Sequence, residues 1–86
     1  MGDTLSRFVS DGRITLMPTK RSKRLLVLDH VAQSFEPGRT YREYEVSRVL
    51  FGFHDDYAAL RRYLVDEGFL SREDNVYWRS GGSVEV

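Results

Sequence analysis

At 86 residues the chain makes one domain, near the size where a single apolar core is only just sufficient. Hydrophobic residues at 41% and charged residues at 30% mark it as globular, while 13 basic and 13 acidic residues cancel and remove the broad positive field of a strong non-specific DNA binder. The absence of cysteine excludes disulfide frameworks, cysteine zinc sites and thiol nucleophiles. No apolar run approaches the ~18 residues of a membrane span and the N-terminus lacks a secretory apolar core, so a cytoplasmic location is expected.

In chain order, Thr4 to Phe8 reads as a short helix with Leu5 and Phe8 inward. Asp11-Gly12 is a turn dipeptide. Arg13 to Met17 is expected as a strand with Ile14 and Leu16 on one face, closed by Pro18. A first long helix is expected over Arg21 to Phe35, where Leu25, Leu28, Ala32 and Phe35 form a stripe that Val27 and Val31 widen. Glu36-Pro37-Gly38 ends it. Val46, Val49, Leu50 and Phe53 keep helical spacing without error. That second helix starts either at Tyr41, through the capping-box spacing of Thr40 and Glu43, or one or two residues later with Tyr41 in a short strand.

Asp55 or Asp56 caps the third helix, which runs to about Glu67. Leu60, Tyr63 and Leu64, with Tyr57, form its expected inner face, and Asp55, Ala58, Arg62 and Val65 its outer one. Gly68 supplies the positive-φ stop. Phe69–Arg72 and Val76–Arg79 then read as a hairpin turning at Asp74-Asn75, with Tyr77 and Trp78 on opposite faces. The expected architecture is α+β: a winged helix-turn-helix-like three-helix core with a C-terminal β-hairpin wing and an N-terminal helix and strand extension. Residues 1–19 form the extension, 20–79 the core and 80–86 a tail that begins flexibly. Within the tail, Val84-Glu85-Val86 either adds an edge strand or frays.

Charge is unevenly placed. Up to Arg24 six basic residues face two acidic ones, whereas from Leu25 onward seven basic residues face eleven acidic ones. Lys20-Arg21-Ser22-Lys23-Arg24 is the clear basic cluster. It reads either as a solvated first helical turn or as a phosphate-contacting patch. Cations crowded at a helix N-terminus are locally unfavourable, which favours an anionic partner as their reason.

Asp11-Gly12-Arg13, Pro18, Lys20, Lys23-Arg24, Leu28, Phe35, Gly38-Arg39-x-Tyr41, Glu43-x-Glu45-Val46 and Asp56 recur in one order with Leu60-Arg61-Arg62-Tyr63-Leu64-Val65-Asp66, Gly68, Leu70, Arg72 and Tyr77-Trp78-Arg79. Over nearly its whole length the chain thereby resembles the bacterial domain of unknown function numbered 2087. In that family the domain stands alone or follows a DNA-binding regulator domain, so the resemblance implies a link to transcription and supplies no catalytic residue or ligand. Arg42 and Ser47 depart from the family pattern, where Thr and Asn are expected.

The expected function is DNA binding by a transcription-associated winged-helix domain. Its third helix would lie in the major groove with Arg62 as the base reader. Arg61, Arg72 and Arg79 would be phosphate contacts from helix and wing, joined by Lys20, Arg21, Lys23 and Arg24. Asp55, Asp56, Asp66 and Glu67 oppose this reading, because four carboxylates on one helix repel a polyanion. The alternative is a protein-interaction or self-associating module on the same scaffold, suited by mixed charge, five tyrosines and Trp78. Neither reading involves catalysis, a cofactor or a small-molecule substrate. No nucleophile–base set or phosphate-cradling glycine loop is evident, and the adjacent residues His54-Asp55-Asp56 do not aim at one ion.

Overall fold

Helical and alternating apolar spacings divide the chain into elements that fold into a small α+β domain; the structure is a computed structural model and describes residues 3–82. The elements are α1 (Asp3–Ser6), β1 (Val9–Ser10), β2 (Arg13–Ile14), α2 (Arg21–Ala32), β3 (Thr40–Arg42), α3 (Glu43–Phe51), α4 (Tyr57–Asp66), β4 (Leu70–Glu73) and β5 (Val76–Arg79). Two antiparallel sheets result. β1 and β2 form a small hairpin, and β3, β5 and β4 form a three-stranded sheet with β5 in the middle.

The core is the place where the apolar faces of these elements meet. Val27, Leu28, Val31 and Ala32 of α2 pack with Val46 and Leu50 of α3 and with Leu60 and Leu64 of α4. Leu70 and Tyr77 close it from the sheet, and Ile14, Phe35 and Tyr41 complete it. Each large side chain removed from water here stabilises the fold by about 1.5–3 kcal/mol before conformational entropy is set against it.

Several boundaries differ from the sequence expectation, each for a local reason. α2 ends at Ala32, not Phe35, because Gln33, Ser34 and Phe35 donate to the carbonyls three residues back and tighten the chain into a turn. Phe35 still reaches the core. The strand expected over Arg13 to Met17 is only Arg13–Ile14, since its partner β1 offers two residues to pair. Beyond that pairing Leu16 turns outward and is 62% exposed. Of the two starts considered for the second core helix, the later one is found: Thr40–Arg42 pairs with β5, and the helix begins at Glu43.

The Glu45 carboxylate accepts from the Arg42 N–H, so the first turn of α3 is capped from within. Asp56 caps α4 by accepting from the Ala59 N–H. The start of the tail is tied down, contrary to the flexible beginning expected: Ser80 and Gly81 both donate their N–H groups to the Phe69 carbonyl. The edge strand considered at Val84-Glu85-Val86 lies outside the described residues. No helix among the described residues is long and apolar enough to cross a membrane.

The N-terminal extension is bound to the core through one residue in particular. Arg13 donates to the carbonyls of Phe51 and Gly52 and pairs with Asp55 at 2.7 Å, while the Ile14 N–H donates to the Phe53 carbonyl. These bonds hold the turn between α3 and α4, with carbonyls at the C-terminus of α3 receiving a cation.

Candidate nucleic-acid interface

Three of the arginines singled out in the sequence converge. Arg61 and Arg62 project from α4 and Arg72 from β4 into one cleft of about 230 Å³, which Ala58, Val65, Asp66 and Tyr77 also line. Consecutive positions on a helix point about 100° apart, so Arg61 leans toward α3 while Arg62 faces outward. Arg61 donates to Ser47 Oγ at 2.7 Å, which fixes its guanidinium at the α3–α4 seam. Arg62 is exposed and makes no hydrogen bond or ion pair among the described residues. The Arg72 guanidinium lies 5.9 Å from the centre of the Tyr77 ring.

Tyr77 forms the floor and binds the walls together. It is 1% exposed, and its hydroxyl donates to Glu43 Oε1 at 3.0 Å. Burial first, and that bond second, push its phenol above the ordinary tyrosine value. The Glu43 N–H donates to the Asn75 carbonyl, so the start of α3 is moored to the β4–β5 turn.

The other five basic candidates fall elsewhere. Arg21 makes a two-point contact with Glu67, its Nη2 at 2.7 Å and its Nε at 3.1 Å. Arg24 stacks over the Tyr63 ring at 5.1 Å, donates to the Thr19 carbonyl and stands 3.9 Å from Glu67. Arg79 reaches the carbonyls of Phe35 and Gly81. These three arginines hold the fold together. Lys20 is exposed and Lys23 half-buried at the start of α2, and neither lines the cleft.

The same contacts change the balance of charge on α4. Asp55 is paired with Arg13, Asp56 caps the helix, and Glu67 is held by Arg21 and Arg24. The Glu67 carboxyl lies below its ordinary value, first through the hydrogen bond from Arg21 and also through the charges of both arginines, which together outweigh desolvation. Of the four carboxylates counted against a polyanion, Asp66 is the one that lines the cleft. His54 Nδ1 accepts from the Asp56 N–H, so this histidine serves the turn. No group of three or more metal-ligating side chains occurs among the described residues.

Sequence reasoning missed two parts of this face. Ser47, which the sequence reading assigned no role at the site, is the acceptor that fixes Arg61. Tyr57 was expected inside the core but is 38% exposed, and it meets Phe51, itself 53% exposed, edge to face with ring centres 6.0 Å apart. Phe51 falls outside the Val46, Val49, Leu50, Phe53 stripe, and that spacing was the available sign that it points outward.

Fold and cleft together define a small α+β domain with an arginine-lined groove between a helix and a β-hairpin. The chain belongs to the bacterial family described as "Uncharacterized protein conserved in bacteria (DUF2087)", whose pattern matches residues 13–79. No curated protein and no solved structure matches the chain significantly.

Proposed function

We propose that this is a winged helix-turn-helix domain of the bacterial cytoplasm, associated with transcription, that binds duplex DNA through α4 and the β4–β5 wing. The order helix, strand, helix, helix, strand, strand, with the last strand between the other two, supports the winged-helix reading. In that architecture α4 takes the position of the helix that enters the major groove. The observation that carries the functional reading is the meeting of Arg61, Arg62 and Arg72 in one cleft while three of the four opposing carboxylates are engaged elsewhere. Arg62 then reads guanine, for which its guanidinium provides a two-point donor. Arg61 and Arg72 contact phosphates, and Lys20 and Lys23 extend the backbone contact.

Titration of duplex DNA at two salt concentrations tests this reading. Binding that strengthens as salt falls supports it, and no binding at low salt rejects it. One observation favours a second reading, a protein-interaction module: Tyr44, Phe51 and Tyr57 are exposed on or beside α3. Light scattering for self-association and a pull-down from bacterial extract test that alternative.

A further inference from the structure

Beside the arginine cleft lies a second depression of about 490 Å³, lined by Ser47, Arg48, Phe51 and Tyr57. Its walls are the Phe51 and Tyr57 rings, set at 87° to one another. The two rings meet edge to face, an arrangement that aromatic pairs prefer. One hydrogen bond links it to the cationic cleft: Ser47, in its lining, accepts from Arg61, which lines the cleft. One guanidinium and no carboxylate line it.

Asp55 and Asp56, which precede Tyr57, are taken up by Arg13 and by the α4 cap, so an apolar hollow lined by one cation fits a polyanion that carries an apolar group. On duplex DNA viewed from the major groove, that group is the thymine C5-methyl. Resting on the DNA-binding reading above, we propose that the Phe51–Tyr57 hollow receives a thymine methyl and that the domain recognises a thymine near the guanine read by Arg62. Phe51 and Tyr57 are then specificity-determining residues. Arg48, at the rim, meets the adjoining phosphate.

Replacing thymine by uracil removes the methyl and nothing else, which makes the test specific. The full chain is used to select sequences from a random duplex pool at low salt, and each thymine of the enriched duplex is then replaced singly by uracil. At one position uracil is expected to weaken binding about three- to fivefold, the scale of one buried methyl group. Phe51→Ala and Tyr57→Ala, both at exposed side chains and checked for folding by circular dichroism, are expected to bind the two duplexes equally well and to keep the salt dependence. DNA binding that ignores uracil at every position overturns the proposal and leaves the DNA-binding reading standing. Failure to bind DNA at low salt overturns both. Self-association abolished by Phe51→Ala overturns the thymine site, since the hollow is then filled by a second copy.

Discussion

The backbone of Gly81 presses on that of Gly68: a Cβ built on Gly81 would stand 2.5 Å from the Gly68 carbonyl oxygen. Both glycines are required, for different reasons. Gly68 has φ +81 and no neighbour within 4 Å of a built Cβ, so its requirement is conformational. Gly81 sits in a close approach of two backbone segments. Gly68→Ala is expected to cost about 1–2 kcal/mol through left-handed strain. Gly81→Ala must displace backbone and is expected to cost more than Gly68→Ala. Urea unfolding of both variants checks this, and wild-type stability in Gly81→Ala would refute the close approach.

The Arg21–Glu67 contact carries a pH signature. The carboxyl titrates lower in the folded chain than in the unfolded one, so its stabilising contribution is present above the ordinary carboxylate range. It is lost as pH falls through the folded-state value. Glu67→Gln is therefore expected to be less stable than wild type at pH 7, with the difference shrinking toward pH 3. Thermal melts across that range measure it; a difference independent of pH would show that the charge is not the cause.

The Tyr77 phenol is expected to ionise above the ordinary tyrosine range. Its phenol is raised by burial, so stability is full below the ordinary tyrosine range and declines as pH climbs through the folded-state value. Absorbance titration should show a late component that coincides with alkaline unfolding and vanishes in Tyr77→Phe. That variant also loses the hydrogen bond to Glu43 and is expected to be destabilised by about 1–2 kcal/mol at neutral pH.

The basic residues are expected to divide by role. Arg62→Ala should relax base preference at one position, at about 1–3 kcal/mol of discrimination. Arg72→Ala and Lys23→Ala should weaken every sequence alike and lower the salt slope by about one each. Arg79→Ala should act on the fold, since its guanidinium holds the Phe35 and Gly81 carbonyls. Binding assays paired with urea melts separate the groups. If Arg79→Ala kept full stability and lost DNA, the division would be wrong.

Much of the architecture was legible because it rests on local signals. The Val46–Leu50 and Leu60–Leu64 spacings marked two helices, Asp55-Asp56 marked a cap without saying which residue makes it, and Gly68 with Asp74-Asn75 marked the final hairpin. The pairing of β3 with β5 was not legible, because a three-residue strand declares itself only through a distant partner, here Tyr77 opposite Tyr41. The exposure of Leu16 has the same origin: its neighbours alternate correctly, but β1 is too short to hold them. At the site, residue type singled out the arginines and could not say which were already engaged. Arg21, Arg24 and Arg79 look like Arg62 in sequence; Glu67, Tyr63 and two backbone carbonyls separate them in space.

Arg13 gives the N-terminal ribbon a mechanical bearing on α4. Through one guanidinium the ribbon grips the corner from which α4 departs, so the pitch of that helix is set partly from outside the three-helix unit. A fragment trimmed to residue 20 would keep α2 to α4 and the β4–β5 hairpin but lose this fastening, whereas one starting a few residues before Arg13 would keep it. The smallest unit that presents α4 at its native angle therefore begins at the ribbon, close to where the family match begins.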